Sequence, residues 1–220
     1  VLWDPENADD LVYAVKRAEK KGRSIKMTGS GHSLSDVAVT EDVLLNPTKL
    51  DQPLNLDTSR LKAGDHSQLV RVQSGIRIRE LNQHLDSIGL ALENMGGWDE
   101  QTIIGAAMTG THGSGLNYGP IESQIASMQI VTSNGEMIQV EPSNGITNPA
   151  SFNGRLEEDS GISVQLIQDD DTFNAFKVSV GSMGIVYSVV LRADRKFWIH
   201  EVRETDSWAN FKAPGGMLEQ

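Results

Sequence analysis

The chain has 220 residues, 38% of them hydrophobic and 22% charged, with a formal net charge of -11 at pH 7. That length suits one large domain or two small ones, and the composition is that of an ordinary folded chain rather than a disordered one. The acidity argues against a general binder of nucleic acid or of an anionic membrane surface, and the absence of cysteine excludes disulfides, thiolate metal centres, cysteine nucleophiles and a thioether link to a cofactor.

No apolar run approaches the length of a membrane-spanning helix. The first residue is Val1, and no charged-then-apolar leader follows it. The chain therefore reads as a processed protein, a fragment or an isolated domain, in the cytoplasm or secreted after signal removal.

Pro5 to Lys21 is predicted as a helix. Asp4 can serve as its N-cap, Leu11, Val12, Ala14, Val15 and Ala18 form an apolar stripe, and Gly22 stops it. A short strand, Ser24–Met27, runs into Thr28-Gly29-Ser30-Gly31-His32-Ser33-Leu34-Ser35. Val43–Leu45 is a second strand and Val70–Gln73 a third, the latter ending at Ser74-Gly75. Ile78, Leu81 and Leu85 mark a helix that ends near Gly89, and Leu90–Glu93 is short and extended. Thr102–Met108 is small and apolar, a tightly packed helix or turn, and continues into Thr109-Gly110-Thr111-His112-Gly113-Ser114-Gly115.

Ile125–Thr132 and Glu136–Val140 form a hairpin about Asn134-Gly135. Between Glu141 and Gln168 the pattern weakens into Pro, Ser, Asn, Gly and acidic residues, which predicts a long surface loop or insertion. Asp171–Val180 is predicted as a helix, Gly181–Gly184 as a turn and Ile185–Arg192 as a strand. Lys196–Val202 is a further candidate strand, and the last residues read as frayed. The fold class is α+β, with three glycine-rich turns that each join apolar elements. Three such turns, far apart in sequence, suit one extended ligand better than three separate sites.

The first turn carries the sharpest signal. Two glycines and three serines after a strand can present several backbone N–H groups to a phosphate without obstruction by Cβ atoms. His32 is the odd member, since an anion cradle does not need it. It either hydrogen-bonds a phosphate or the backbone, or it anchors a ligand. Thr109–Gly115 is either a ligand-contacting loop or a glycine turn around a satisfied buried histidine. A metal shared by His32 and His112 is disfavoured, because no acidic residue stands at ligand spacing in either motif. Trp98, after Gly96-Gly97, is either an aromatic wall or a core tryptophan.

Four segments in order, the Pro5-to-Ala18 helix, Gly29–Ser33, Ile104-Gly105-Ala106 with Thr109–Gly115, and Gly181–Val186, resemble the FAD-binding (PCMH-type) domain of the vanillyl-alcohol-oxidase superfamily. Within it they are most similar to the sugar-lactone oxidase and alditol oxidase branch. The resemblance covers roughly residues 1–195. It implies two α+β subdomains, about 1–60 and 61–195, with FAD extended between them, and it reads 196–220 as the start of a C-terminal substrate domain.

The resemblance also implies roles. Thr28, Gly29, Ser30, Gly31, His32, Ser33 and Ser35 would hold the FAD pyrophosphate, and His32 would be joined covalently to the flavin 8α-carbon. Gly105, Thr109, Gly110, Thr111, His112, Gly113 and Ser114 would line the flavin ring and pyrophosphate, and Gly184, Ile185 and Val186 would face adenine and ribose. With no cysteine, any tether is single. Hydride would pass from an alcohol carbon of a polyol, sugar or lactone to flavin N5, with oxygen as acceptor and hydrogen peroxide as product. The general base is expected in the C-terminal domain, so no catalytic residue is assigned.

Three alternatives stay open: a flavin-binding module inactive by itself, a dehydrogenase with a non-oxygen acceptor, and a phosphate-binding scaffold without flavin. Against the last, the chain has neither the Gly-Lys-Ser/Thr phosphate loop nor a Gly-x-Gly-x-x-Gly after a strand.

Overall fold

A computed structural model describes residues 1–158 and 161–215. The chain opens with β1 (Leu2–Trp3) and α1 (Ala8–Lys20). Asn7, not Asp4, caps α1: its backbone is extended and its side-chain oxygen accepts from the Asp10 N–H at 2.9 Å. Both residues are good caps by type, and only Asn7 stands three residues ahead of an N–H in the first turn of α1. Pro5 therefore precedes the helix. At the other end Gly22, with φ +59, adopts the left-handed conformation that lets the Arg23 N–H reach the Ala18 carbonyl at 2.9 Å.

Next come β2 (Ile25–Met27) and β3 (Val43–Leu45), which join β1 in a parallel sheet of order β1-β3-β2. The remaining strands are β4 (Pro53–Leu54), β5 (Leu69–Gln73), β6 (Leu90–Ala91), β7 (Ile125–Val131), β8 (Met137–Glu141), β9 (Val164–Gln168), β10 (Ile185–Arg192) and β11 (Asp194–Arg195). Between them lie α2 (Ile78–Ser87), α3 (Ile103–Met108) and α4 (Asp170–Lys177), and α5 (Trp208–Phe211) follows. A six-stranded sheet has the order β4-β5-β10-β7-β8-β9, antiparallel except for the parallel pair β8–β9. β6 and β11 make a small antiparallel pair.

The six-stranded sheet is covered on both faces, so β7 and β10 are buried along nearly their whole length. One face packs on α2, α3 and α4 through a core that includes Ile78, Leu81, Leu85, Ile103, Ala107, Phe173 and Phe176. The other face meets α1 near one end, where Leu11, Ala14 and Val15 pack with Val131, Met137, Ile185 and Tyr187. Each fully buried large aliphatic side chain in these cores contributes about 1.5–3 kcal/mol.

Two expectations are corrected. The segment 141–168 is not a surface loop. It returns to the sheet, ends in β9 as an edge strand, and buries Ile146, Thr147 and Leu156 on the way. Lys196–Val202 forms no strand; the pairing residues are Asp194 and Arg195, and residues 196–210 are exposed. After Val202 the chain forms α5, whose start is capped by the Ser207 hydroxyl accepting from the Asn210 N–H, and the final residues 216–220, expected to be frayed, lie outside the described residues.

Polar side chains cross the α1 side of the sheet in one connected belt. Arg71, 2% exposed, donates to Gln129 at 2.7 Å, to Glu158 at 2.5 and 3.0 Å, and to the Asn55 carbonyl at 3.2 Å. Gln129 also accepts from the Ser188 hydroxyl and donates to Gln139, which in turn donates to Glu141 and Thr147. Glu141 is fully buried and accepts further hydrogen bonds from the Thr147 N–H, the Thr147 hydroxyl and the Gln168 amide. Burial pushes the Glu157 carboxyl above its ordinary value, against the opposing pull of the Arg71 guanidinium. This belt fastens the 141–158 segment to the sheet.

Candidate functional site: a glycine-walled cleft

The strands β2 and β3 end beside the N-terminal end of α3 and the turn before β10. The three segments enclose a cleft of about 820 Å³, within the range of small-molecule sites. Its walls include residues 28–35 from the turn after β2, Gly105 and Thr109 on α3 and its cap, and Gly184, Ile185 and Val186 at the start of β10. The three glycine turns, widely separated in sequence, thus meet on one cavity. Of the predicted ligand-binding residues, Thr28, Gly29, Ser30, Gly31, His32, Ser33, Ser35, Gly105, Thr109, Gly184, Ile185 and Val186 stand on its walls.

The first two motifs touch at backbone level. A Cβ on Gly29 would lie 2.8 Å from Thr102 Oγ1 and 3.5 Å from the Gly105 Cα. A Cβ on Gly105 would lie 2.7 Å from the same oxygen and 3.7 Å from the Gly29 Cα. Thr102 Oγ1 also accepts from the Gly105 N–H at 3.1 Å and so caps α3. These glycines allow the turn and the helix to close on each other. Gly31 has φ +75 and free space around it, so it serves the turn's conformation instead.

Gly110, Thr111, His112, Gly113 and Ser114 are not among the cleft walls. Gly110, with φ +67, ends α3: its N–H reaches the Ala107 carbonyl and the Thr111 N–H reaches the Ala106 carbonyl, both at 3.0 Å. The His112 ring lies 2.8 Å by its Nδ1 from the Gly113 carbonyl and is exposed rather than buried. A Cβ on Gly113 would meet Asn94 Oδ1 at 2.4 Å and the Met95 carbonyl at 2.6 Å, and one on Gly96 would meet Thr111 Cγ2 at 2.9 Å. The loop therefore props the segment 94–98 against the mouth of the cleft.

That segment ends in Trp98, 58% exposed and so not a core residue. Its indole N–H donates to His32 Nε2 at 2.9 Å, with the two rings edge-on at a centroid distance of 6.1 Å.

Further wall residues stand outside the ligand-binding set expected from the motifs. Lys26 carries the one charged side chain among the cleft's walls, and its ammonium donates to the Val37 carbonyl at 2.8 Å. The strand alternation could have found it, since Ile25 and Met27 pack on the α1 core and the residue between them must face the other way. Ser74, at the end of β5, is 1% exposed, and its Oγ has no hydrogen-bond partner. Buried hydroxyls are rarely left unpaired. Ser74 lies on the cleft wall, where a polar ligand atom would satisfy it. Val180 also lies on the wall with φ +52, a left-handed conformation that a β-branched residue seldom holds.

This donor set fits a long ligand with an anionic centre. Small residues allow close backbone approach, Lys26 and Ser74 stand among the wall residues, and no carboxylate stands on the walls to repel phosphate. Among the described residues, no group of three or more metal-ligating side chains exists, and no helix is long and apolar enough to cross a membrane.

The comparisons agree with the geometry. A family model described as an FAD binding domain matches residues 1–141. The chain is 30% identical over 204 residues to a D-arabinono-1,4-lactone oxidase of Eremothecium gossypii, covering 93% of this chain and 33% of that protein. It is 29% identical over 196 residues to an L-gulono-1,4-lactone dehydrogenase of Mycobacterium tuberculosis, covering 89% of this chain and 38% of the relative. It thus spans about a third of the length of these relatives. Among solved structures, 6-hydroxy-D-nicotine oxidase of Arthrobacter nicotinovorans superposes with a TM-score of 0.65 at 18% identity, over 88% of this chain and 36% of that one. Alkyldihydroxyacetonephosphate synthase does so with a TM-score of 0.63 at 19% identity, over 88% of this chain and 31% of that one. Cleft, motifs and family match converge: this chain belongs to the PCMH-type FAD-binding domain family of flavoenzymes.

Proposed function

We propose that this chain holds the FAD of an oxidoreductase that oxidises an alcohol carbon of a sugar lactone or a related sugar or polyol. The observation that carries the reading is the meeting of three glycine turns on one cleft that also presents the unpaired Ser74 hydroxyl. The lactone oxidases and dehydrogenases among its relatives supply the substrate class. Bound FAD supplies the hydride acceptor.

In this reading the backbone around Gly29, Ser30 and Gly31 cradles the pyrophosphate, with Ser33 and Ser35 as added donors and Lys26 as the charge partner. Gly184, Ile185 and Val186 face adenine and ribose, and Ser74 donates its hydroxyl to the ligand. His32 is joined to the flavin 8α-carbon. Gly110, Thr111, His112, Gly113 and Ser114 act from behind, by holding the segment that carries Trp98. Residues 1–60 and 61–195 form the two sides of the flavin site, and residues 196–220 lead into a substrate domain that carries the general base. Oxygen accepts the electrons and leaves as hydrogen peroxide.

Two measurements test this. The purified protein is precipitated in acid, and yellow colour that stays with the polypeptide supports attachment at His32, whereas flavin in the supernatant removes it. Peroxide release under air with a panel of aldonolactones, compared with dye reduction under nitrogen, separates an oxidase from a dehydrogenase. A second reading, a flavin-holding unit without turnover of its own, is favoured by the third of the relatives' length that the chain spans. Turnover of any lactone by these 220 residues refutes it.

A further inference from the structure

We propose that Lys26 is a positioning residue that couples the cofactor's phosphates to the segment 30–39, so that the ammonium that meets the anion also holds this segment over it. This rests on the FAD reading above and gives that site a part that closes.

The segment is fixed firmly at both ends and lightly between them. Before it, the Thr28 N–H donates to the Leu45 carbonyl at 3.0 Å, and Gly29 packs on Thr102 and Gly105. Past it, Ser24 holds the chain. The Ser24 N–H and hydroxyl both donate to the Asp42 carboxylate, the hydroxyl lies 2.9 Å from that of Thr40, and the Ser24 carbonyl accepts from the Val43 N–H. Between these points no residue of 30–39 belongs to a hydrophobic core, and Leu34 and Val39 stand on the cleft wall with exposed side chains. Among the described residues, the hydrogen bonds that reach the segment from outside come from Trp98 to His32 and from Lys26 to the Val37 carbonyl. Stretches with so few buried contacts open locally at little cost.

Lys26 stands where it can serve both partners. It lies on β2 between Ile25 and Met27, which pack on the α1 core, and beside its register partner Leu44, another wall residue. An ammonium has three donors. The Val37 carbonyl takes one at 2.8 Å, and no carboxylate on the cleft walls competes for the others. A phosphate oxygen at this ammonium is thereby joined through one side chain to the middle of the segment. A long lysine side chain loses much rotamer freedom when it is held. Whichever partner binds first bears that cost, and the second binds the more tightly. The coupling is reciprocal: phosphate steadies Val37–Thr40 on the wall, and the steadied segment retains phosphate.

The test uses protein made free of flavin in riboflavin-starved cells. ADP carries the pyrophosphate and adenosine of FAD without the flavin, and riboflavin carries the flavin ring without phosphate. Hydrogen exchange is followed by NMR at the Val39 amide, which donates to the Asp36 carbonyl at 3.0 Å and so reports on the segment away from its glycine turn. Wild type is compared with Lys26→Met, which keeps the length of the side chain and removes its charge and donors, and with Lys26→Arg.

In the wild type ADP should slow exchange at Val39 by at least about fivefold, a usual size for coupling between two sites, and riboflavin should leave it unchanged. In Lys26→Met ADP should bind about tenfold or more weakly, the worth of a hydrogen bond to a charged group, and saturating ADP should no longer slow the exchange. Lys26→Arg keeps a charge and several donors and should retain the slowing. A lysine that only ties the segment down behaves differently: its loss speeds exchange by one factor with and without ADP. Equal slowing by ADP in the wild type and in Lys26→Met therefore overturns the proposal. So does a wild type that binds ADP with exchange at Val39 unchanged, a comparison that needs no variant. In both cases continued FAD binding leaves the flavin site standing, whereas protein that takes up neither ADP nor FAD removes the site and the coupling together.

Discussion

Two regions hold most of the functional and buried polar side chains of this molecule, and they are finished to different standards. In the belt behind the sheet, Arg71, Gln129, Gln139, Glu141 and Thr147 satisfy one another in a closed chain of hydrogen bonds. In the cleft, Ser74 Oγ is buried without a partner, Lys26 has a carbonyl but no carboxylate beside it, and Val180 sits in a left-handed conformation. A saturated network holds a fold together and has nothing left to offer a ligand. Unsatisfied groups and strain that converge on one cavity are what a binding site leaves open. The contrast assigns the belt to stability and leaves the cleft as the place for the FAD proposed above.

The strongest way to break that contrast is Arg71→Met. It leaves the Glu158 and Glu157 carboxylates and the Gln129 oxygen without their cation, at a cost of about 3–5 kcal/mol, read as a fall in the urea midpoint. Flavin content per folded molecule should stay the same. Gly29→Ala should do the reverse. Its Cβ at 2.8 Å from Thr102 Oγ1 forces the turn off α3, an overpacking worth about 1–3 kcal/mol, and bound flavin should fall more than stability does.

Ser74→Ala sharpens the comparison with a smaller effect of opposite signs. Removing an unpaired buried hydroxyl should leave the apoprotein equally or more stable, while FAD binding weakens by about two- to twelvefold. Fluorescence titration in a His32→Ala background, where binding is reversible, checks the second part.

The smallest effect is on pH. Burial raises the Glu157 carboxyl above the usual 4.5, so the folded state favours its protonated form. The stability from this group is full below 4.5 and is lost as pH rises through the raised value. Glu157→Gln should flatten the decline of the urea midpoint over that window. Asp169 and Asp170 run the other way. Hydrogen bonds from Thr172 and from Ser143, respectively, hold them below 3.8, so their contribution is present above 3.8 and disappears as pH falls through the lowered values.

The cleft was far more legible in the sequence than the belt, and the reason is physical. A turn that must bring backbone close to a ligand or to another helix needs glycine at fixed places, and Gly29, Gly31, Gly105 and Gly184 record that need in the chain itself. The belt left no such mark. Arg71, Gln129 and Gln139 read as ordinary polar breaks in strand alternation, because their partners come from distant residues such as Asn55, Thr147 and Glu158. That is also why 141–168 looked like a surface loop, although Glu141 is fully buried within it. Trp98 and His32 are a pair only in space, and the Gly96-Gly97 before the tryptophan was the sole local hint.

Thr102 ties several of these features to a single atom. Its Oγ1 lies under Gly29 and under Gly105 and also begins α3. A mutation that enlarges either glycine presses on the oxygen that starts the helix, and loss of the oxygen uncaps the helix without relieving the other constraints. Descent with single substitutions therefore has almost no path through this point. The three positions should be inherited as one unit, even in relatives whose substrates have long since diverged.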